Sequence, residues 1–438
     1  MRHCKYKYLS FSILFLLVAF HFRNHSRTKK VRMKVAPNTA KILRNVSLPD
    51  EAAVTYTNSV VLDVGGHSTR IGFAGDNAPR FNERTVMNRG TKTVFNDAYN
   101  ERDHKNLVNV VEDGTITDWE AYEALVERVS EMVCWGDQEL NTPLLLSEKA
   151  LIPHTQRQRQ AEIFFEKFNV PSLSVALSPV LSLYSVGLSS GVAVELGYSQ
   201  CHVAPVFQGI SLFHATHCLG LGGRDLTELF STKTSAALPE AVQPHRRNDV
   251  WSYLKEKTCT TAESRDAYRG YADAKDTSDF AVEQTLPDGA TLTIGAERFI
   301  PEALFQPHFL PRMNDLPDQG NITSEVQLRT TVSPKGIHEL LAESIKKCDT
   351  DLQPFFWDNT VLSGGTSLFR NLSSRLETEV GNFTTGTERI RVVASPERRD
   401  AAFIGGSILA SLPTFQDLWV KRSDYDEIGS MAVVRGCF

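Results

Sequence analysis

Three glycine-flanked turns carry residue types suited to holding a phosphate. Residues 59–75 read SVVLDVGGHSTRIGFAG, in which an apolar strand delivers Asp63, Gly65 and Gly66 form a tight turn, and a second strand, Thr69–Phe73, returns. The backbone N–H groups of such a turn can wrap an anion. Asp63 stands at the turn, where a carboxylate can hold a metal through water. The same pattern also makes an ordinary hairpin with a turn aspartate. Residues 190–209, SGVAVELGYSQCHVAPVFQG, repeat the order of strand, acid, glycine and strand, with Glu195 in the place of Asp63 and Gly197 in that of Gly65. In the third turn, Thr360, Val361 and Leu362 run into Ser363-Gly364-Gly365-Thr366 and then into a helix-like stretch, Ser367–Val380. Glycine lets the backbone approach a ligand closely, and the positive end of a helix favours an anion.

Two hairpins of one pattern, about 130 residues apart, predict an internally duplicated fold with a cleft between its halves. A length of 438 residues is enough for two sizeable domains. The 41% apolar and 23% charged content is that of a globular protein. A net charge of −5 leaves no overall basic footprint for nucleic acid. The seven cysteines are scattered without CxxC spacing, which argues against a zinc site and against a disulfide framework.

The first residues read differently. Leu9–Phe22, LSFSILFLLVAFHF, is an apolar run flanked by Arg2, Lys5 and Lys7 before it and by Arg23, Arg27, Lys29, Lys30 and Arg32 after it. It is short for a membrane span, which needs roughly 17–25 residues. It reads as a signal-anchor-like segment or as an over-extended start ahead of Met33. Further along, helical spacing marks Trp119–Val133, Gln156–Phe168 and Gly336–Cys348. Pro311–Ser333 reads as a polar surface insertion.

Many segments of this chain resemble actin, and in actin's order: GFAGDNAPR (72–80), GTITDW (114–119), PLLLSEKALIP (143–153), FEKFNVP (165–171), VLSLY (180–184), GGRDLTELF (222–230), LPDGATLTIGAERFIPEALFQP (286–307), GIHELLAESIKKCDTDL (336–352), NTVLSGGT (359–366) and PERRDAAFIGGSILASLPTFQDLW (396–419). The resemblance runs from about Ser59 to Phe438. It implies the α/β actin/Hsp70/sugar-kinase architecture, with two α/β domains around a nucleotide cleft. On that reading residues 1–58 are the apolar segment plus a linker. Residues 59–183 with 394–438 form the first domain, and residues 184–393 form the second.

The resemblance also implies a site for ATP or ADP with Mg. Asp63, Gly65, Gly66 and Arg70 match the first phosphate hairpin, and Gly197 the second; Gly223 also lies in a matching segment. Lys255 and Glu256 match the pair that contacts ribose and base. Gly364, Gly365, Thr366 and Phe369 match the adenine-side turn, with Arg399 in the place of a lysine over the base. The catalytic set would be His202, Glu195 and Asp63, and Asp63 and Glu195 would meet the metal through water.

Several departures bear on activity. Gly66 replaces the serine that touches the terminal phosphate, and His67 replaces a glycine, where it either donates to a phosphate or, the favoured reading, crowds the loop. Arg70 keeps a lysine's charge but not its geometry. In the second hairpin Glu195 and Tyr198 replace aspartates, and Ser199 replaces a glycine. Ser178 replaces the glutamine that orients the attacking water and is too short to do that job. Hydrolysis rests on positioning, so these changes predict a nucleoside grip better kept than the grip on the reacting phosphate. The segment between Arg80 and Trp119 is about a dozen residues shorter than actin's, and 89–106 lacks an apolar tip for docking into a neighbouring subunit.

The expected function is that of a divergent actin-like protein with weak or absent ATPase activity, in the cytoplasm and cytoskeleton or in a larger assembly. A polymerising ATPase, or a subunit of a chromatin-remodelling or dynein-activator complex, are the alternatives. Expected partners are other actin-like or complex subunits and actin-binding proteins, not nucleic acid directly. A membrane is expected only if residues 9–22 are an anchor.

Overall fold

A computed structural model describes residues 59–101, 105–133, 142–234, 246–286, 289, 291–310, 335–384, 386 and 388–437. The apolar run at 9–22 and the insertion at 311–333 therefore lie outside the described residues.

Two sheets of like topology organise the molecule. The first contains β1 (Val60–Val64), β2 (Ser68–Phe73), β3 (Phe81–Arg84), β4 (Leu144–Glu148), β5 (Ser172–Leu177) and a late strand, Val420–Lys421. β1 pairs antiparallel with β2 and parallel with β4, and β4 continues parallel into β5. Residues 420–421 close the β5 edge. The second sheet contains β6 (Gly191–Leu196), β7 (Cys201–Phe207), β8 (Ile210–Ser211), β9 (His217–Leu219), β10 (Thr360–Ser363) and β11 (Val392–Val393). β6 pairs antiparallel with β7 and parallel with β10, which continues parallel into β11.

The duplication expected from the hairpins is explicit in the register. Asp63 faces Arg70 on β2 and Ser147 on β4. Glu195 faces His202 on β7 and Ser363 on β10. Each hairpin thus places its acid between a return strand and a parallel strand that sets a serine opposite it. Both central strands are buried along nearly their whole length, so they read as apolar runs rather than alternating ones.

Between the sheets lie two helices, α1 (Ser178–Tyr184) and α2 (Ala401–Ser411), in an apolar layer that joins Val61 and Leu145 of the first sheet to Val206 and Val361 of the second. The helices cross at a close approach. A Cβ on Gly405 would stand 1.8 Å from the Leu181 carbonyl oxygen, so only glycine fits there. Separate apolar cores cover the outer faces of the two sheets.

The helix expected at 119–133 is present as Trp119–Met132, with the Asp118 carboxylate accepting from Ala121 N at its start. Ile337–Lys346 and His154–Glu162 likewise fall on helix-patterned stretches, the latter continuing as a π-turn at Ile163–Lys167. The stretch after the third turn differs from expectation. Gly365–Leu368 is a 3₁₀ turn, and the α-helix begins only at Leu372. Asn371, with φ of 65°, breaks the path between them, a left-handed conformation that asparagine tolerates.

Candidate functional site

The three turns meet. Gly364, at φ of 87°, lies against β6, where a Cβ would stand 2.3 Å from the Leu196 carbonyl oxygen. Thr366 Oγ1 donates to the Gly197 carbonyl at 2.7 Å, and Gly223 N donates to the same oxygen at 3.0 Å. Gly223 opens α3 (Gly223–Thr234). From α4 (Arg247–Thr258), the buried Lys255 donates through Nζ to the Gly223 carbonyl at 2.8 Å and to Thr227 Oγ1 at 2.7 Å. Burial lowers the Lys255 ammonium from its ordinary value. Gly197, Gly223, Lys255, Gly364 and Thr366, far apart in sequence, thus form one cluster.

Other expected members sit elsewhere. Glu256 is exposed and accepts from Ser252 Oγ at 3.2 Å. Phe369 packs into the core of the second sheet. Arg399 is exposed, while its neighbour Arg398 braces the third turn. The Arg398 carbonyl accepts from Gly364 N at 2.8 Å, and its guanidinium donates to the Ser367 and Ser395 carbonyls. Nothing in the sequence singles Arg398 out from Arg399.

The two acids are held differently. Asp63 accepts from Ser147 Oγ at 2.7 Å and from Arg70 at 3.0 Å. Arg70 also donates through Nε to Asp400 at 2.5 Å, which ties the first hairpin to the start of α2. Glu195 is buried against α1. It accepts from Ser178 Oγ at 2.7 Å and from Ser182 Oγ at 3.0 Å, with Lys149 Nζ at 3.7 Å. Ser182 Oγ in turn lies 3.1 Å from Ser363 Oγ. Beside Glu195, burial pushes the His202 imidazole down to about 4, against the pull of the carboxylate.

These engagements bear on a metal. Both oxygens of Asp63 and both of Glu195 already accept from protein donors. Among the described residues no group of three or more His, Cys, Asp or Glu is placed to hold an ion. The donor set therefore fits a magnesium ion only through water.

Three sets of side-chain contacts join the two halves. The rings of His67 and Tyr198 meet with centroids 4.9 Å apart. Arg224 of α3 reaches Asp113 at 3.4 Å. Asp249 of α4 accepts from Arg84 at 2.9 Å and from the Tyr99 hydroxyl at 2.5 Å, with the Arg84 guanidinium stacked over the Tyr99 ring. Burial and the Asp249 contact raise the Tyr99 phenol to about 12. His67 is in cationic surroundings: burial, then the charges of Arg84, Arg399, Arg70 and Lys255, push its imidazole down to about 4.

No helix among the described residues is long and apolar enough to cross a membrane. The sequence matches the Actin family over residues 54–438. The paired sheets, the repeated hairpins and the cleft between them are those of the actin-like ATPase fold. Members of that family generally bind ATP or ADP with Mg and commonly interact with other actin-like or actin-binding proteins. With nearly its whole length matched and its fold in agreement, this chain belongs to the actin family.

Proposed function

We propose that this protein is a divergent actin-like protein whose cleft holds an adenine nucleotide as a structural ligand, with weak or no hydrolysis. Its biological role is exercised through partner surfaces, in the cytoskeleton or within a larger assembly of actin-like subunits and actin-binding proteins. The observation that carries the hydrolysis half is the cluster of Ser178, Glu195 and Ser182. The acid of the second hairpin is turned into α1 and occupied by two hydroxyls, and the residue at 178 is itself buried. An attacking water needs an acceptor open to it in the cleft, and both oxygens of this acid are already taken by hydroxyls. His202, buried beside it with its imidazole held neutral, can orient a water but not protonate a leaving group at neutral pH.

The binding half is supported by the cationic surroundings of His67 and by the shared cluster of Gly197, Gly223, Lys255 and Thr366. Bound ligand stabilises a folded chain by linkage, so a nucleotide confined to this cleft acts as a further bridge between the two sheets. Arg70, Lys255 and the turn amides are the groups that would hold it, and magnesium, where present, neutralises its phosphates through water on Asp63.

Titration calorimetry of the full chain with MgADP and MgATP, paired with a phosphate-release assay, tests both halves. Binding without phosphate release above background is expected. Absence of heat with both nucleotides removes the binding half, and sustained turnover removes the other.

A further inference from the structure

We propose that His67 and Tyr198 form a wedge that selects a short phosphate tail, so that the cleft takes ADP in preference to ATP. The proposal rests on the nucleotide reading above and names the ligand of that same site.

The two hairpin turns face each other, and each places a large ring at their closest approach. The rings of His67 and Tyr198 stand 4.9 Å apart at 57°, within the range of favourable aromatic contact. One residue away the first turn meets a side chain of the second: a Cβ on Gly66 would lie 3.3 Å from Ser199 Oγ. A terminal phosphate cradled by amides from both turns would need the volume that these two rings fill. Both rings are largely buried, so neither swings into solvent without losing its packing.

Charge does not oppose a nucleotide here. The cations that surround His67 are Arg70, Arg84, Arg399 and Lys255. Arg70 and Arg84 are paired with Asp63, Asp400 and Asp249, so the attraction for the phosphates nearest the nucleoside comes chiefly from Lys255 and Arg399. What limits the tail is the filled space between the turns. The Arg70 guanidinium is fixed in place by Asp63 and Asp400 and so cannot reach out to follow a longer tail.

The test is calorimetry of the full chain with MgADP, MgATP and adenosine, on the wild type and on His67→Gly and Tyr198→Ala separately. In the wild type ADP is expected to bind about tenfold or more tightly than ATP, a difference of about 1.4 kcal/mol or more. Each variant is expected to close that gap by tightening ATP while leaving ADP within about threefold. Equal affinities in the wild type overturn the wedge. So does a weaker ATP affinity in His67→Gly, which would make the imidazole a phosphate ligand. If no nucleotide or adenosine binds to any of the three proteins, the binding half of the proposed function falls, and the wedge falls with it.

Discussion

The two hairpins share a backbone and part company at their acids. In the first, Asp63 is bound to a cation that runs on to Asp400 at the head of α2. In the second, the acid carries one more methylene and reaches through to α1, where two serine hydroxyls hold it. The lesson is that a duplicated register does not duplicate chemistry. The first acid is compensated chiefly by a hydrogen-bonded guanidinium shared with a second carboxylate, and the second chiefly by neutral hydroxyls, with Lys149 at the longer distance of 3.7 Å.

Four measurements would break or sharpen that contrast. The largest effect is expected from Arg70→Ala. It strands Asp63 and Asp400 at once, and removing one partner of a largely buried pair costs about 3–5 kcal/mol. Urea unfolding followed by tryptophan fluorescence reads it, and a loss under about 1 kcal/mol would show that the ion pair contributes little.

Acid comes next. His67 and His202 both have folded values of about 4 against an ordinary 6.5. The unfolded chain therefore binds more protons between those values. Stability from both groups is fully present above about pH 6.5 and is lost as pH falls toward 4, at up to about 1.4 kcal/mol per pH unit for each histidine. Unfolding curves from pH 7.5 to 4.5 should show this slope, and His67→Phe should remove about half of it. A flat profile over that window would contradict the buried, neutral state of both rings.

The third measurement compares the acids directly. Asp63→Asn removes the charge facing Arg70 and is expected to cost about 2 kcal/mol, the scale of a charge-assisted hydrogen bond. Glu195→Gln is expected to cost about 1 kcal/mol, because rotating hydroxyls at Ser178 and Ser182 can satisfy an amide as well as a carboxylate. Equal losses would mean that Lys149, at 3.7 Å, compensates Glu195 as effectively as Arg70 compensates Asp63. The smallest effect is expected from Ser178→Ala, about 1 kcal/mol or less, since Ser182 remains on the carboxylate. Phosphate release should stay at background in that variant. A rise would show that freeing Glu195 restores its reach into the cleft.

Much of the frame was legible from the residues. Apolar runs ending in an acid and glycines specify buried strands and tight turns by local rules, so β1, β2, β6, β7 and β10 stand close to where their patterns put them. The serine that each parallel strand sets opposite the acid, Ser147 or Ser363, was legible only in register. It lies 84 residues from Asp63 in one case and pairs across from Glu195 in the other. The direction of the Glu195 side chain depends on hydroxyls supplied by α1, and no period in the sequence encodes that. The meeting of His67 with Tyr198 depends on how the two halves face each other, a global property that neither hairpin carries alone. The helix expected from Ser367 onward gave way for a local reason, since Asn371 takes a left-handed turn that splits the run.

The strand at Val420–Lys421 has a consequence for how the molecule is made. It closes the edge of the first sheet on β5, and the Cys437 carbonyl accepts from Arg157 within the same half. The first half is thus begun at residue 60 and its sheet is completed only by the strand at 420–421, about 360 residues later. The second sheet, by contrast, draws its strands from one continuous stretch, 191–393. Chains generally fold by units as they emerge from the ribosome. Here the later half can settle first, while the earlier one waits with an unpaired β5 edge and exposed apolar strands until the last residues arrive.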